Sequence, residues 1–336
     1  MEFDSYEKMP ERLSALNLDL AETKKLDKAT WVLSEKIHGA NFSFILSSDG
    51  IAYAKRKELL AWNDDFFAFQ RVAERLQATL FQLLDLLGQD YSFEKAQLYG
   101  ELFGGAYPHP EVEAIDGLQA IQTGIYYHPD IQFAAFDLAL TDSDGQRRYL
   151  PYRDLMDYCE KLGLFYATPL LIGSLQQVLQ FDTHIHSTIP AQFDLPPLDD
   201  FNLIEGVVIK PIDDLIVATK KGDIRPILKI KNPEFSEEER FGEAQKWSYL
   251  VATDNDAILF YVDELGRFLN KNRLEAAISK IGHPNSPERR EQLRQLLWED
   301  MLHSYQAQNP TIAMELLTEL RIAYWPVLMQ FMEKQI

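Results

Sequence analysis

The hydrophobic pattern of this chain changes from strand-like to helix-like after about residue 235, and this change restricts the folds that are possible. Between about residues 30 and 235, short apolar runs with a period of two alternate with turn residues, as expected for β-strands. Beyond the charged stretch 232–244, apolar residues recur at helical spacing. The sequence therefore predicts a sheet-rich domain over residues 1–240 and a small helical domain over residues 241–336.

A β-hairpin is the clearest local prediction in the first domain. The runs 41–46 and 51–56 are both strand-like, and Asp49-Gly50 lies between them. Asp-Gly between two such runs favours a tight turn, because glycine adopts the backbone conformations that these turns require.

Three helices are predicted from apolar spacing and from residues that begin or end helices. The first starts at Asp64 or Asp65 as N-cap and ends before Gly88. The second starts at Ser286, which is followed by a proline and a glutamate. The third lies near the C-terminus, and Pro326 is expected to kink it or end it. The apolar face of the second helix consists of Leu293, Leu296, Leu297 and Met301.

Composition indicates a soluble protein of a reducing compartment, and we expect it to be cytoplasmic. Of the 336 residues 46% are hydrophobic, which is enough for sizeable cores. Cys159 is the single cysteine, so no internal disulfide can form. The first ten residues do not have the pattern of a secretory signal, and no apolar run is long enough to span a membrane.

The distribution of charge restricts any contact with nucleic acid to part of the surface. The net charge is −19, which excludes a chain-wide basic surface. However, residues 205–231 contain six Lys and Arg residues, whereas the hundred residues 101–200 contain four. A polyphosphate or nucleic-acid site would therefore be local, on an acidic background that discourages non-specific binding.

Lys36 is a candidate nucleophile. It follows a strand-like run and precedes His38 and Gly39, and the glycine permits a sharp turn or a close backbone approach. A reactive lysine amine must lose its proton, and nearby positive charge would favour this. Lys229 and Lys231 are two residues apart in a strand-like run, so their side chains share one face. They could form a phosphate clamp beside Lys36 or an ordinary solvated edge.

Acidic residues within apolar strands complete the set of candidates. Glu101, Asp137 and Glu205 each adjoin or interrupt an apolar run, and Lys210 ends the run that follows Glu205. Such carboxylates could bind a divalent cation on a polyphosphate, or they could be strand-end residues. Phe136 could be a core residue or a platform for a purine ring.

The order of these segments resembles that of the nucleotidyltransferase motifs of covalent polynucleotide ligases. The segments are EKIHGANF (35–42), AKR (54–56), YGELFGG (99–105), FAAFDL (133–138), EGVVIKP (205–211) and LKIKN (228–232). The first motif has histidine at position 38, where DNA ligases and capping enzymes usually have aspartate. In this respect it resembles the RNA ligase 2 family of phage and kinetoplastid enzymes. Segments 100–112 and 121–138 resemble the RNA-editing ligases, and 272–282 resembles the helical C-terminal domain of the phage enzymes.

This resemblance implies a fold, an activity and a set of site residues. The fold is α+β, with a nucleotidyltransferase domain of antiparallel sheets and flanking helices, followed by the helical domain. The activity is ATP-dependent RNA ligation with Mg²⁺ or Mn²⁺, in which Lys36 carries AMP that then passes to an RNA 5′-phosphate. The implied catalytic residues are Lys36, Glu205, Lys229 and Lys231. The implied nucleotide-binding residues are Glu35, Ile37, His38, Asn41, Arg56, Glu101, Phe136, Lys210, Lys229 and Lys231, and the implied metal ligands are Glu205 and Asp137.

The expected substrate is RNA with 3′-hydroxyl and 5′-phosphate ends, as at a nick in a duplex. We expect a monomer that binds no membrane, and the sequence does not identify any protein partner. Ser34 replaces an arginine of the phage enzymes, and segment 55–58 lacks the small residue and glycine that often follow Lys-Arg. These departures concern end recognition rather than ligation chemistry. Two alternatives remain, namely an inactive nucleic-acid-binding member of the family and a DNA ligase or capping-type guanylyltransferase.

Overall fold

The computed structural model divides the chain into two compact units, Met1–Glu234 and Phe235–Ile336. It describes residues 3–198, 202–220, 222–232, 235, 265, 266, 268–308 and 314–336. The predicted boundary between residues 240 and 241 lies outside these residues, so it stays a prediction. The α+β fold class, with antiparallel sheets and a helical C-terminal region, is confirmed.

The first unit contains twelve labelled strands and five helices in its described residues. The strands are β1 Trp31–Glu35, β2 Ala40–Ser47, β3 Gly50–Lys55, β4 Leu59–Leu60, β5 Lys95–Ala106, β6 His128–Thr141, β7 Arg147–Tyr149, β8 Pro169–Gly173, β9 Gly206–Pro211, β10 Val217–Thr219, β11 Gly222–Ile224 and β12 Leu228–Lys231. The helices are α1 Leu20–Lys28, α2 Phe69–Asp90, α3 Tyr152–Leu162, α4 Leu175–Leu179 and α5 Ile189–Gln192, with a 3₁₀ turn at Leu13–Leu16.

A four-stranded antiparallel sheet in the order β12-β9-β1-β8 carries most of the predicted site. One face packs into a hydrophobic core that includes Trp31, Leu33 and Val207. Side chains alternate between the two faces of a strand, so Ser34 and Lys210 lie on the opposite face. The sheet therefore presents Ser34, Lys210, Lys229 and Lys231 on the side that does not face this core.

A six-stranded sheet in the order β4-β3-β2-β5-β6-β7 contains the predicted hairpin. Ser47 pairs with Gly50, so β2 and β3 are joined by a two-residue turn and the hairpin prediction is confirmed. Gly50 has a φ of +123°, a backbone conformation that residues other than glycine rarely adopt. The buried rings of Phe42 and Phe44 lie on one face of β2, as the period of two predicted.

Helix α2 begins and ends later than predicted. Asp64 is not its N-cap. The Asp64 carboxylate instead accepts a hydrogen bond from the backbone amide of Ala61, at 2.8 Å. Phe67 and Ala68 both have left-handed backbone conformations, with φ near +50°, so a regular helix can start only at Phe69. Gly88 lies inside the helix, which continues to Asp90, so the predicted C-terminal glycine is also wrong.

In its described residues the second unit contains three labelled helices, α6 Lys271–Ile281, α7 Pro287–Gln308 and α8 Met314–Gln335. Helix α7 starts where Ser286 and Pro287 predicted, and the expected apolar face of Leu293, Leu296, Leu297 and Met301 is buried. Pro326 lies inside α8 and does not end it. The Arg273 guanidinium of α6 donates to the Asp300 carbonyl of α7 at 2.7 Å. Among the helices that the structure describes, none combines the length and the apolar character that crossing a bilayer requires.

Candidate active site

The Lys36 side chain lies against Glu205, although 169 positions separate the two residues. The Lys36 Nζ atom is 2.6 Å from Glu205 Oε2, and the Lys36 backbone amide donates to the Gly206 carbonyl at 2.9 Å. Lys36 follows β1 directly and Glu205 immediately precedes β9. Because β1 and β9 pair antiparallel, the sheet itself brings these strand ends together.

Glu205 binds three candidate residues at once. In addition to Lys36, its carboxylate lies 3.2 Å from His38 Nδ1 and 3.4 Å from Lys231 Nζ. Burial raises the pKa of Glu205, but Lys36, His38 and Lys231 lower it more strongly, so the pKa lies well below its usual range. The sequence suggested that the positive charge of Lys229 and Lys231 makes Lys36 reactive, and this stays a prediction. The direct contact of Lys36 with the Glu205 carboxylate was not predicted, because the register of β1 and β9 could not be read locally.

Lys229 and Lys231 share a face of β12, but their amines bind different carboxylates. Lys231 contacts Glu205, whereas Lys229 Nζ lies 3.5 Å from Glu11. The Lys229 backbone amide also donates to the Pro10 carbonyl at 3.0 Å. Within the described residues β12 is an edge strand of its sheet. The alternative that these lysines form an ordinary solvated edge therefore applies to Lys229 at least.

Glu101, Arg56 and Asn41 line the same region from the other sheet. Asn41 of β2 is the cross-strand neighbour of Glu101 of β5. Burial raises the pKa of Glu101 to about 7; Lys36, Arg56 and His38 oppose this shift, and Glu205 adds to it. Glu101 therefore interacts electrostatically with Lys36 and Arg56. The structure brings Glu205, His38 and Lys231 together beside the Lys36 amine.

Gly39 is required because two backbones approach closely at this position. A Cβ atom on Gly39 would lie 2.1 Å from the Leu102 carbonyl oxygen and 2.9 Å from the Glu101 side chain. The sequence predicted a close approach to a ligand or a sharp turn at this glycine. The close approach is to the backbone of β5, and it joins the segment after Lys36 to the strand that carries Glu101.

Phe136 lies at a β-bulge in β6. Asp137 pairs with Tyr99 and Ala135 pairs with Gly100, so Phe136 has no cross-strand partner. Bulges redirect side chains, and Phe136 is only half-buried. The ring of Tyr6 packs edge-on against it, with a centroid distance of 4.9 Å. Its role as an adenine platform stays a prediction.

Asp137 and Lys210 belong to a second ionic cluster that sequence reasoning did not foresee. Lys210 Nζ donates to the Phe136 carbonyl at 2.6 Å and lies 3.8 Å from Asp137. Burial lowers the pKa of Lys210 to about 8, although Asp137 opposes the shift. The Asp137 carboxylate also accepts from Tyr6 at 2.8 Å and from Arg225 at 2.7 Å.

These partners alter the interpretation of Asp137. Burial raises the pKa of Asp137, but Lys210 and Arg225 lower it more strongly. The pKa therefore lies below its ordinary value, and cations of the protein itself hold the carboxylate ionised. Such contacts favour an electrostatic role over metal ligation. Arg225 was recognisable from sequence only as one member of the basic segment 205–231, and no local pattern pointed to Tyr6.

Glu35 points away from the Lys36 side of β1. It lies on the same face as Trp31 and Leu33, and its carboxylate accepts hydrogen bonds from Ser187 Oγ at 2.6 Å and Thr188 N at 2.9 Å. Burial raises the pKa of Glu35 to about 7, although these hydrogen bonds lower it. Any nucleotide contact of Glu35 would therefore come from its backbone, because its carboxylate is already occupied. Ser187 and Thr188 were not predicted.

The metal assignments of Glu205 and Asp137 stay predictions. In the part of the chain that the structure describes, no group of three or more His, Cys, Asp or Glu residues could hold a metal ion. Mg²⁺ often keeps several waters and binds through one or two carboxylates together with substrate phosphates. Glu205, beside Lys36, meets that smaller requirement in charge and position.

The arrangement can support covalent catalysis by an amine. Lys36 is 19% exposed, so its amine is reachable, and the Glu205 carboxylate holds it at 2.6 Å. Lys231 places a further cation at the same carboxylate, where it can stabilise developing negative charge on a phosphate. A positioned nucleophile and a fixed cation are parts that phosphoryl or nucleotidyl transfer to lysine requires.

Comparison with protein families yields two matches. Residues 29–231 match the RNA ligase family, and residues 252–324 match the C-terminal region of T4 RNA ligase 2. The first match covers both sheets and every predicted site residue.

Two curated proteins of Trypanosoma brucei brucei are also similar. RNA-editing ligase 1, mitochondrial, is 32% identical over 236 residues, which is 62% of this chain and 50% of that protein. RNA-editing ligase 2, mitochondrial, is 33% identical over 202 residues, which is 54% of this chain and 48% of that protein. The chain thus spans about half the length of the curated relatives that it matches.

Similar solved structures include an RNA ligase of Naegleria gruberi with PPi, at 15% identity and a TM-score of 0.43 over 69% of this chain and 57% of that one. An archaeal ATP-dependent RNA ligase matches at 17% identity and a TM-score of 0.42, over 89% of this chain and 64% of that one.

Proposed function

The chain belongs to the RNA ligase family, and from this premise we propose that it is an ATP-dependent RNA ligase that uses Lys36 as its nucleophile. The enzyme joins 3′-hydroxyl and 5′-phosphate ends of RNA through a lysyl-AMP intermediate and an AMP-capped 5′ end. The observation that carries the proposal is the buried Glu205 carboxylate, which contacts Lys36, His38 and Lys231 together. The motif order of the sequence supports the same assignment.

In the first step the Lys36 amine attacks the α-phosphate of ATP, a P–N bond forms, and pyrophosphate leaves. The amine gives up its proton to solvent before it attacks, and Glu205, whose Oε2 atom is in contact with Nζ, orients it. Lys231 and Lys229 supply positive charge for the phosphates, and Lys229 must then exchange Glu11 for a phosphate oxygen. Glu101, Arg56 and Phe136 bind the ribose and base.

A divalent cation, Mg²⁺ or Mn²⁺, would supply positive charge that neutralises the phosphates. Glu205 is the residue that would hold it, together with phosphate oxygens and water. Asp137 does not belong to this set in the proposal, because Tyr6, Lys210 and Arg225 occupy its carboxylate.

In the later steps the RNA 5′-phosphate attacks the lysyl-AMP and takes the AMP, and the 3′-hydroxyl then displaces AMP to form the phosphodiester. Nicks in duplex RNA are the proposed substrate. The net charge of −19 makes binding dependent on a local basic surface and therefore sensitive to salt. We propose that the protein is a monomer in the cytoplasm. The names of the two curated relatives place those proteins in mitochondria.

Incubation with α-labelled ATP and Mg²⁺ tests the first step. We expect label that stays on the denatured wild-type protein and is lost in Lys36→Ala. Lys24→Ala, which changes an exposed lysine of α1, is the matched control and should keep the label. An unlabelled wild-type protein would favour the inactive alternative, and label from GTP but not ATP would favour a capping enzyme.

Nicked duplexes with RNA or DNA on the 3′-hydroxyl side test the substrate. We expect sealing with an RNA 3′ end and poor sealing with a DNA 3′ end, because His38 is the motif residue that distinguishes the RNA-sealing family. Efficient sealing of an all-DNA nick would contradict the RNA assignment and favour the DNA-ligase alternative.

A further inference from the structure

The segment from Glu35 to Gly39, here called the lysine loop, is held by residues from two distant segments. Tyr127 accepts a hydrogen bond from the backbone amide of His38 at 2.9 Å. Gln122 donates to the Gly39 carbonyl at 3.3 Å. On the other side of Lys36, the Glu35 carboxylate is bound by the segment that contains Ser187 and Thr188.

Asn202 ties these two segments to each other. Its side-chain oxygen accepts from the Tyr126 amide at 2.9 Å, and its side-chain nitrogen donates to the Tyr126 carbonyl at 2.8 Å. Its backbone carbonyl accepts from the Ser187 amide at 2.8 Å. Asn202 is 6% exposed, so these hydrogen bonds form with little competition from water. The residues on both sides of Lys36 are thus held by one connected network.

We propose that Tyr127, Ser187 and Thr188 are positioning residues that fix the lysine loop so that the Lys36 amine is held for in-line attack. This inference rests on the proposed function. The Ser187 and Thr188 contacts go to Glu35, whose side chain is on the face of β1 opposite to Ser34, so they act through the loop and not through the nucleotide.

The physical reason is the cost of misplacing a nucleophile. Tyr127 is 1% exposed, and the loss of its hydroxyl leaves the His38 amide without the acceptor that it has in the folded protein. Likewise, the Thr188 hydroxyl is one of three donors that hold the Glu35 carboxylate, at 3.1 Å. A displacement of about 1 Å far from the chemistry can lower a rate by about 10²-fold, because attack requires aligned reacting atoms.

Single-turnover kinetics with labelled ATP tests the inference. We expect Tyr127→Phe and Thr188→Val to lower the rate constant of lysine adenylylation by about 10-fold or more, while half-saturation by ATP changes by less than about twofold. Thr188→Ser keeps the hydroxyl and should restore most of the rate. The matched controls are Tyr166→Phe and Thr168→Val, which remove hydroxyls that bond to exposed partners, Glu160 and Gln192, and both should adenylylate like wild type.

Hydrogen exchange of a peptide that covers residues 36–41 provides a readout independent of activity. We expect faster exchange in Tyr127→Phe and Thr188→Val and unchanged exchange in both controls. Thermal unfolding should show that each variant is folded at the assay temperature. Wild-type rates and wild-type exchange in the two variants would overturn the inference, as would a loss of rate that only follows a loss of ATP binding. A wild-type protein that forms no adduct would overturn the proposed function, whereas the exchange result would still decide whether these residues hold the loop.

Discussion

The Glu205 carboxylate lies 2.6 Å from the Lys36 amine, and Glu205 is buried while Lys36 remains partly accessible. The same carboxylate contacts His38 and Lys231, so one acidic side chain joins two separate parts of the sequence, 36–38 and 231. A buried carboxylate with several cationic partners is strongly favoured in its ionised form. Glu205 is therefore the residue on which the geometry of the candidate site depends most.

Glu205→Gln should damage both activity and stability. The amide lacks the charge that holds the Lys36 amine in place, so we expect lysyl-AMP formation to fall by about 10²-fold or more. Lys36 and Lys231 would also lose their negative partner, at a cost of about 3 kcal/mol in the free energy of unfolding. The control is Glu58→Gln. Glu58 is itself exposed in its pair with Lys55, so this substitution should cost less than about 1 kcal/mol. Urea unfolding and labelled ATP measure the two effects, and a fully active Glu205→Gln would contradict this role.

Glu35 should make stability depend on pH. Because burial raises its pKa from 4.5 to about 7, the folded protein keeps a proton that the unfolded chain releases between these values. The free energy of unfolding therefore falls as pH rises through this range, by about 3 kcal/mol for this one group. Glu35→Gln cannot titrate, so its stability relative to wild type should improve by that amount from pH 4.5 to pH 8. Parallel urea titrations of both proteins test this, and a constant difference between them would contradict it.

Two glycines should respond to alanine in opposite directions. Gly39→Ala places a Cβ atom against the Leu102 carbonyl, so we expect the free energy of unfolding to fall by about 1–3 kcal/mol and adenylylation to weaken. At Gly88, inside α2, a Cβ atom meets nothing within 4 Å. Gly88→Ala should therefore raise the free energy of unfolding by up to about 1 kcal/mol. Thermal or urea unfolding distinguishes the two, and a neutral Gly39→Ala would show that the strands can separate easily.

Asp137→Asn tests the second ionic cluster. The substitution leaves Lys210 and Arg225 with a neutral neighbour in a buried place, so we expect a loss of about 3–5 kcal/mol in the free energy of unfolding. Asp213→Asn is the matched control, because it breaks the exposed pair with Arg153 and should cost less than about 1 kcal/mol. Equal effects of the two substitutions would show that the cluster around Asp137 contributes no more than a surface pair.

Local patterns were sufficient for several elements. The β2–β3 hairpin follows from a period of two on either side of a turn residue pair, and α7 follows from Ser286 and Pro287 with an apolar face. The start of α2 could not be predicted in this way. Two consecutive residues, Phe67 and Ala68, have left-handed backbone conformations, so the helix begins only after them. Neither phenylalanine nor alanine is a residue type that favours this conformation.

The sequence by itself determined which residues were candidates, because motif order and residue type point to a candidate nucleophilic lysine, candidate acidic partners and candidate cations. Only the tertiary structure decided which of them touch. The register of β1 against β9 gives Lys36 the Glu205 carboxylate, and the alternation of β1 turns Glu35 away towards Ser187 and Thr188. A shift of one residue in that register would reverse both outcomes, and no local pattern records the pairing of strands that lie 169 positions apart.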